Sequence, residues 1–294
     1  MKKHFWLSLG LSLSFVFPTI ASAEVIYNSI PDIQPESSPS LGFQATQTAE
    51  FGDYIQFDGV GRTLIAVDVM LNSWSCQEGN WFNHDCSNPN SESTGYDHPI
   101  TLAIYNVDSD GVVGGEITNV TQSIHVPWRP ASDPLCPNGG YSSTTCNNGY
   151  NFIASFSIPN VIVPDSIAYG VSFNTQTWGA EPIGFSGPFN SLNMSVPNVF
   201  PSVGIDTDAD AVLWNTHTVA YYSTSCPGDT FCRDIEWTGF VPSAKFVVED
   251  PSVGPPTDKN SCKNNGWEIF NNPAFKNQGQ CVSYVQANDH AGKK

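Results

Sequence analysis

The stretch Arg62-Thr63-Leu64-Ile65-Ala66-Val67-Asp68-Val69-Met70-Leu71 decides the fold class. Thr63, Ile65, Val67, Val69 and Leu71 align on one side while Asp68 points to the other, and a period of two marks a half-buried β-strand. The same alternation recurs in Tyr54 to Phe57, Ile100 to Tyr105, Thr121 to Val126, Asn151 to Ile158, Ile167 to Asn174, Leu192 to Val196, Ala211 to Tyr222 and Ala244 to Val248. Turn formers separate these runs, among them Asp110-Gly111, Asn138-Gly139-Gly140, Asn148-Gly149 and Pro227-Gly228. No comparably long stretch of this region has a helical period. The pattern predicts an all-β domain, an antiparallel β-sandwich of jelly-roll-like type.

Composition narrows the function classes. The chain has 294 residues, of which 13% are charged, 40% hydrophobic and 12% aromatic, with a formal net charge of −17. So many aromatic residues exclude simple disorder, because they supply a core. Between Glu24 and Asp250 stand 25 acidic residues and only four basic ones, Arg62, Arg129, Arg233 and Lys245, a balance of −21. Nucleic-acid binding is therefore excluded as a main activity, since neutralising phosphates requires clustered Lys and Arg. The segment from Pro251 onward is mildly basic, at +2.

The N-terminus predicts the compartment. Lys2 and Lys3 precede an apolar run from Phe5 to Ile20, and Ala21-Ser22-Ala23 has the small residues of a cleavage site. Residues 1–23 read as a secretory signal peptide, and no later segment is apolar enough to span a membrane. The expected location is extracellular, or periplasmic where the host has an outer membrane. The eight cysteines form four sequential couples, predicting Cys76 with Cys86, Cys136 with Cys146, Cys226 with Cys232, and Cys262 with Cys281. An oxidising compartment favours disulfides, and the C-x2-4-C spacing of zinc sites is absent. The expected organisation is a sandwich over 24–250, a Pro-rich linker over 251–260 and a small disulfide module over 261–294. In that module helical turns are expected around Asn264 to Phe270 and Gln280 to Gln286.

Several stretches resemble a recurrent family of uncharacterised secreted bacterial proteins. They are Asp97-His98-Pro99-Ile100-Thr101-Leu102, Arg129-Pro130-Ala131-Ser132-Asp133-Pro134-Leu135-Cys136, Pro182 to Asn193 and Pro201-Ser202-Val203-Gly204. The tail, Cys262-Lys263-Asn264-Asn265-Gly266-Trp267 through Asn277-Gln278-Gly279-Gln280-Cys281-Val282-Ser283-Tyr284-Val285, resembles a module appended to many secreted proteins, in which two glycines usually precede the Trp. Here Asn265 takes the first of those places. The resemblance implies secretion and a β-rich fold, and it implies no activity.

Candidate chemistry is sparse. Asp206, Asp208 and Asp210 alternate like the first ligands of a calcium loop, although Ala211 and His217 replace the turn Gly and bidentate Glu of an EF-hand. Calcium is the one cofactor this suggests, beside the alternative of a solvated acidic turn. Asp108, Asp110 and Gly111 read first as a hairpin turn. Gly184-Phe185-Ser186-Gly187-Pro188 falls short of a nucleophile elbow because Pro188 replaces the last glycine. No catalytic residue is assigned. Trp81, Trp128 and Trp178 lie in polar or Pro-rich loops, where an indole can stack on a sugar, and Asn174 and Gln176 stand near Trp178 to add polar contacts. The same rings equally suit the capping of an open sandwich end. The expected function is a secreted, non-catalytic binding or cell-surface-associated protein with a glycan or cell-surface component as partner. An extracellular polysaccharide hydrolase and a structural envelope or matrix component are the alternatives.

Overall fold

A computed structural model of the chain describes residues 23–43, 48–81, 83–108, 111–173, 192–209, 211–215, 231–249, 254–270 and 273–291. One compact unit spans Ala23–Pro251, and a second contains the C-terminal segment from Ser252. Among the described residues the strands of the first unit form two antiparallel sheets, of six and seven strands, packed face to face.

The six-stranded sheet is built around β4 (Thr63–Ser73). On one edge β4 pairs with β7 (Tyr150–Ile162); on the other it pairs first with β13 (Ala244–Glu249) and further along with β9 (Leu192–Ser195). β1 (Ala23–Asn28) extends the sheet beyond β13, and β2 (Ser40–Gly42) extends it beyond β9. The seven-stranded sheet runs β12 (Cys232–Asp234), β11 (Val212–Asn215), β3 (Glu50–Gln56), β8 (Ser166–Ser172), β5 (Gly95–Val107) and β6 (Val113–Pro127), with β10 (Ile205–Asp206) also on β3. Consecutive strands thus change sheets between β3 and β4 and between β4 and β5, which commits each inner face to the same core.

That core holds Leu64, Val67, Val69 and Leu71 from β4, Ile100, Leu102 and Ile104 from β5, and Phe51 and Ile55 from β3. Phe246 packs against three rings, edge-on to Tyr27 at 6.0 Å and Tyr169 at 5.4 Å and tilted to Phe57 at 5.4 Å. Ile65 does not follow the simple alternation. Val247 pairs with Ala66 and Val248 with Leu64, so Ile65 is an extra residue opposite β13. This bulge resets the phase, Leu64 takes the inward position and Ile65 is only partly buried.

Three of the expected disulfides are present: Cys76–Cys86, Cys136–Cys146 and Cys262–Cys281. Cys232 is also disulfide-bonded, and Cys226 lies outside the described residues. The first two bridges close neighbouring loops that Arg129 ties together. Its backbone N–H donates to Ser75 O at 2.8 Å and its Nη2 donates to Gly139 O at 2.6 Å, while the guanidinium lies 5.5 Å from the centre of the Tyr141 ring. The side chain is fully buried, and burial lowers its pKa to about 10.

The described residues of the C-terminal segment include a 3-10 turn at Gly266–Ile269 and an α-helix, α1 (Gln278–Ala291), around a cluster of Cys262, Phe270, Phe275, Cys281 and Val285. Asn277 Oδ1 accepts the Gln280 N–H at 2.9 Å and caps the helix. Asn265 adopts φ 65, the left-handed region that favours glycine and tolerates asparagine. Among the described residues no helix is long and apolar enough to cross a membrane.

Candidate binding site on the outer face of the seven-stranded sheet

Strand alternation sends Phe51, Asp53 and Ile55 of β3 into the core, and Glu50, Gly52, Tyr54 and Gln56 to the outer face. Pairing then assembles rows across that face. Arg233 stands opposite Leu213, Leu213 opposite Gly52, Gly52 opposite Gly170 and Gly170 opposite Ala103. The next row is Tyr54, Ala168 and Tyr105. Small residues in the middle of the sheet leave room for larger side chains to lean over them. Tyr54, Ala168 and Leu213 are buried together, with Tyr105, Val107, Val113 and Phe231 packed against them.

Two polar features lie in this layer. Glu50 leans across Gly170, where a Cβ would come within 2.1 Å of Oε1, and that oxygen accepts the Tyr105 hydroxyl at 2.9 Å. Burial pushes the Glu50 carboxyl up to about 7; the Tyr105 hydrogen bond opposes that rise and the charge of Glu116 adds to it. Near the other end of the face a pocket of about 450 Å³ opens, within the range of small-ligand sites. Among the described residues it is lined by Tyr54 and Ser166, by Val107, Asp108 and Gly111 from the end of β5 and the turn into β6, and by Thr207, Asp208 and Arg233.

Local turn chemistry places these groups. Asp108 Oδ1 accepts the Val112 N–H at 2.8 Å, and Gly111 has φ 77, so the β5–β6 connection is the hairpin turn that the sequence indicates. Asp206 Oδ1 accepts the Asp208 N–H at 2.9 Å, and the Thr207 N–H donates to Tyr54 O at 3.2 Å. Asp208 is nearly buried and pairs with the Arg233 guanidinium. The Tyr54 hydroxyl is buried and has no hydrogen-bond partner. Burial raises its pKa to about 12; the Asp108 charge raises it further, Arg233 opposes and Asp208 adds.

Of the sequence-predicted residues, Asp208 lines this pocket. Asp206 and Asp208 build a turn braced by Arg233, and Asp210 lies outside the described residues. Among the described residues no three His, Cys, Asp or Glu side chains are placed to share a metal ion. Trp81 packs edge-on against Trp74, with centroids 4.8 Å apart. Trp128 lies 4.9 Å from Tyr96 and its Nε1–H donates to Ser93 Oγ at 3.0 Å. Both indoles are partly buried. Trp178, Asn174 and Gln176 lie outside the described residues. Sequence reasoning missed Tyr54, Ser166, Thr207 and Arg233; the available signal was Arg233, one of only four basic residues in an acidic domain.

One further constellation has nucleophile-base-acid spacing. His125 bonds Asp97 Oδ1 through Nδ1 and Thr94 Oγ1 through Nε2, each at 3.0 Å. The His125 and Asp97 side chains are 51% and 71% exposed, so water screens their interaction. They are also direct cross-strand partners, and a surface pair bridging β5 and β6 accounts for the geometry. The chain matches no protein-family model, no curated protein and no solved structure.

Proposed function

We propose that this chain is a secreted, non-catalytic binding protein that takes a carbohydrate in the pocket beside Tyr54. The buried Tyr54 hydroxyl, unpartnered on a residue that lines a cavity of about 450 Å³, carries the reading. A buried polar group without a partner costs free energy unless a ligand or water satisfies it. Around it stand donors and acceptors that suit adjacent sugar hydroxyls: the Asp108 and Asp208 carboxylates, the Arg233 guanidinium and the Ser166 and Thr207 hydroxyls. Val107 and the Tyr54 ring supply apolar surface for the C–H face of a sugar. The disulfides and the N-terminal leader pattern support secretion.

A glycan array probed with residues 24–294, with and without calcium, tests the reading. Binding independent of calcium and weakened by Tyr54→Phe and Arg233→Gln is the expected result. Binding untouched by both substitutions would place the site elsewhere. The hydrolase alternative has one observation in its favour, the Glu50 carboxyl held near 7 as in general acids of glycosidases. Turnover of a polysaccharide that is abolished by Glu50→Gln would establish it in place of simple binding.

A further inference from the structure

On the core side of β3, next to Tyr54, lies a carboxyl group that the pocket does not use. Asp53 is fully buried, between Phe51 and Ile55 on the inward face of its strand. Its Oδ1 accepts the Tyr54 N–H at 2.7 Å, and its Oδ2 has no hydrogen-bond partner. The titratable groups that face it are Asp206 from β10, Asp208 from the turn after it, Tyr169 from β8 and Tyr27 from β1. Asp208 is in turn paired with Arg233. Burial raises the Asp53 pKa well above the ordinary value of 3.8; the charge of Asp206 adds to the rise, the Tyr54 N–H opposes it and Asp208 adds again. The folded core thus favours the neutral acid, and an ionised Asp53 meets two like charges there.

β10 is the element on which this repulsion acts most directly. It has two residues, paired with Gln56 and Ile55 of β3. Thr207 beyond it is tied to Tyr54 O by its N–H and by its Oγ1, each at 3.2 Å. Little burial holds the segment: Ile205 is 56% exposed, Asp206 is half-buried and Thr207 is exposed. Elements with few buried contacts open at low cost. From this arrangement we infer that β10 and the turn after it form a strap whose closure on β3 depends on Asp53 being protonated, so that the Tyr54 pocket is assembled at mildly acid pH and comes apart as the pH rises. When Asp53 loses its proton, lifting the strap lets water reach the carboxylate and carries Asp206 and Asp208 away from it. Thr207 and Asp208, which line the pocket, leave with the strap. The strap stands on the geometry of β3 and β10; its effect on a bound sugar rests on the carbohydrate reading above.

Hydrogen exchange of residues 24–294, disulfides intact and no sugar present, tests the inference at the Thr207 and Asp208 amides, which donate to Tyr54 O and Asp206 Oδ1. The raised carboxyl stabilises the closed strap fully below the value it has when open, and that effect is lost as the pH rises toward the closed-state value. Corrected for intrinsic exchange, protection of both amides should therefore fall about tenfold per pH unit from about pH 5 to about pH 7. It should stay below that of the Val67 amide in β4, which reports opening of the whole sandwich. Asp53→Asn, neutral at every pH, should leave the two amides flat over the same range. If that variant does not fold, the 13C resonance of the Asp53 carboxyl in the parent decides beside the parent slope: a signal still at its protonated position at about pH 6 upholds the inference, and one that titrates near 3.8 overturns it. A flat parent, a slope in Asp53→Asn as steep as in the parent, or protection equal to that of Val67 at every pH would each overturn it as well. Because no sugar is present, failure of the carbohydrate reading leaves this outcome untouched, and failure of the strap leaves the glycan array to decide the ligand.

Discussion

Replacing Glu50 by Gln should change how the stability of the sandwich depends on pH. In the folded chain burial holds the Glu50 carboxyl up at about 7, against an ordinary value of 4.5. A raised carboxyl favours the protonated form in the native state. Its stabilising effect is therefore complete below about 4.5, declines as the pH rises and is gone above about 7. The gap between the two values corresponds to about 3 kcal/mol lost across that window. Gln keeps the oxygen that accepts the Tyr105 hydroxyl and has no proton to lose. Its amide NH2 adds a donor cost of its own, which is the same at every pH and cancels when two pH values are compared. Urea unfolding of parent and Glu50→Gln, disulfides intact, at about pH 4 and about pH 8.5 measures this. The stability of Glu50→Gln relative to the parent should rise by about 3 kcal/mol between the two conditions. If the two proteins change in parallel, within about 1 kcal/mol, Glu50 is ionised in the native state or is open to water, and the argument fails.

The remaining predictions concern the same face and the disulfide loops. Gly170→Ala would place a Cβ within 2.1 Å of Glu50 Oε1 and force that side chain off Tyr105, lowering stability by about 1–3 kcal/mol in urea unfolding at neutral pH. Arg129→Ala should cost about 3 kcal/mol through the lost volume and the Gly139 hydrogen bond, and should speed hydrogen exchange at the Arg129 and Gly140 amides more than in β4. Exchange rising uniformly over both would show that Arg129 supports the whole sandwich rather than the loops. Replacing Cys136 and Cys146 together by Ser opens a loop of sequence separation 10 and should cost about 2–3 kcal/mol in thermal or urea unfolding.

The sandwich was readable because antiparallel strands with one buried face write their orientation into alternate residues, and β4, β5, β7 and β13 all lie over runs of that kind. Short strands left no such trace: β10 has two residues and β2 and β12 have three each, too few for a period to show. At Ile65 the alternation misled, because a bulge is a property of pairing with β13 and has no signature in β4 alone. Three cysteine pairs were legible since each of these bridges closes a loop that is local in sequence. The pocket was not, because Tyr54, Asp108, Ser166, Thr207 and Arg233 come from five segments that meet only through the order of strands in the sheet. Nor were the contacts of Trp81 with Trp74 and of Trp128 with Tyr96 legible, since both are made by tertiary packing.

The irregularity at Ile65 has a mechanical consequence for the sheet around it. Where β4 carries one residue too many for β13, β7 steps from Val161 opposite Leu64 to Ser157 opposite Ala66, so β7 in turn carries residues too many for β4. Asn160, in the looped-out part of β7, has φ 43. The mismatches on the two edges of β4 sit at the same height and face opposite ways, like the wards of a key. Sliding β4 by one residue would satisfy neither neighbour and would turn its apolar side outward. A single-residue deletion at Ile65 is accordingly a more severe lesion than a polar substitution there, since the substitution leaves the key cut as it is.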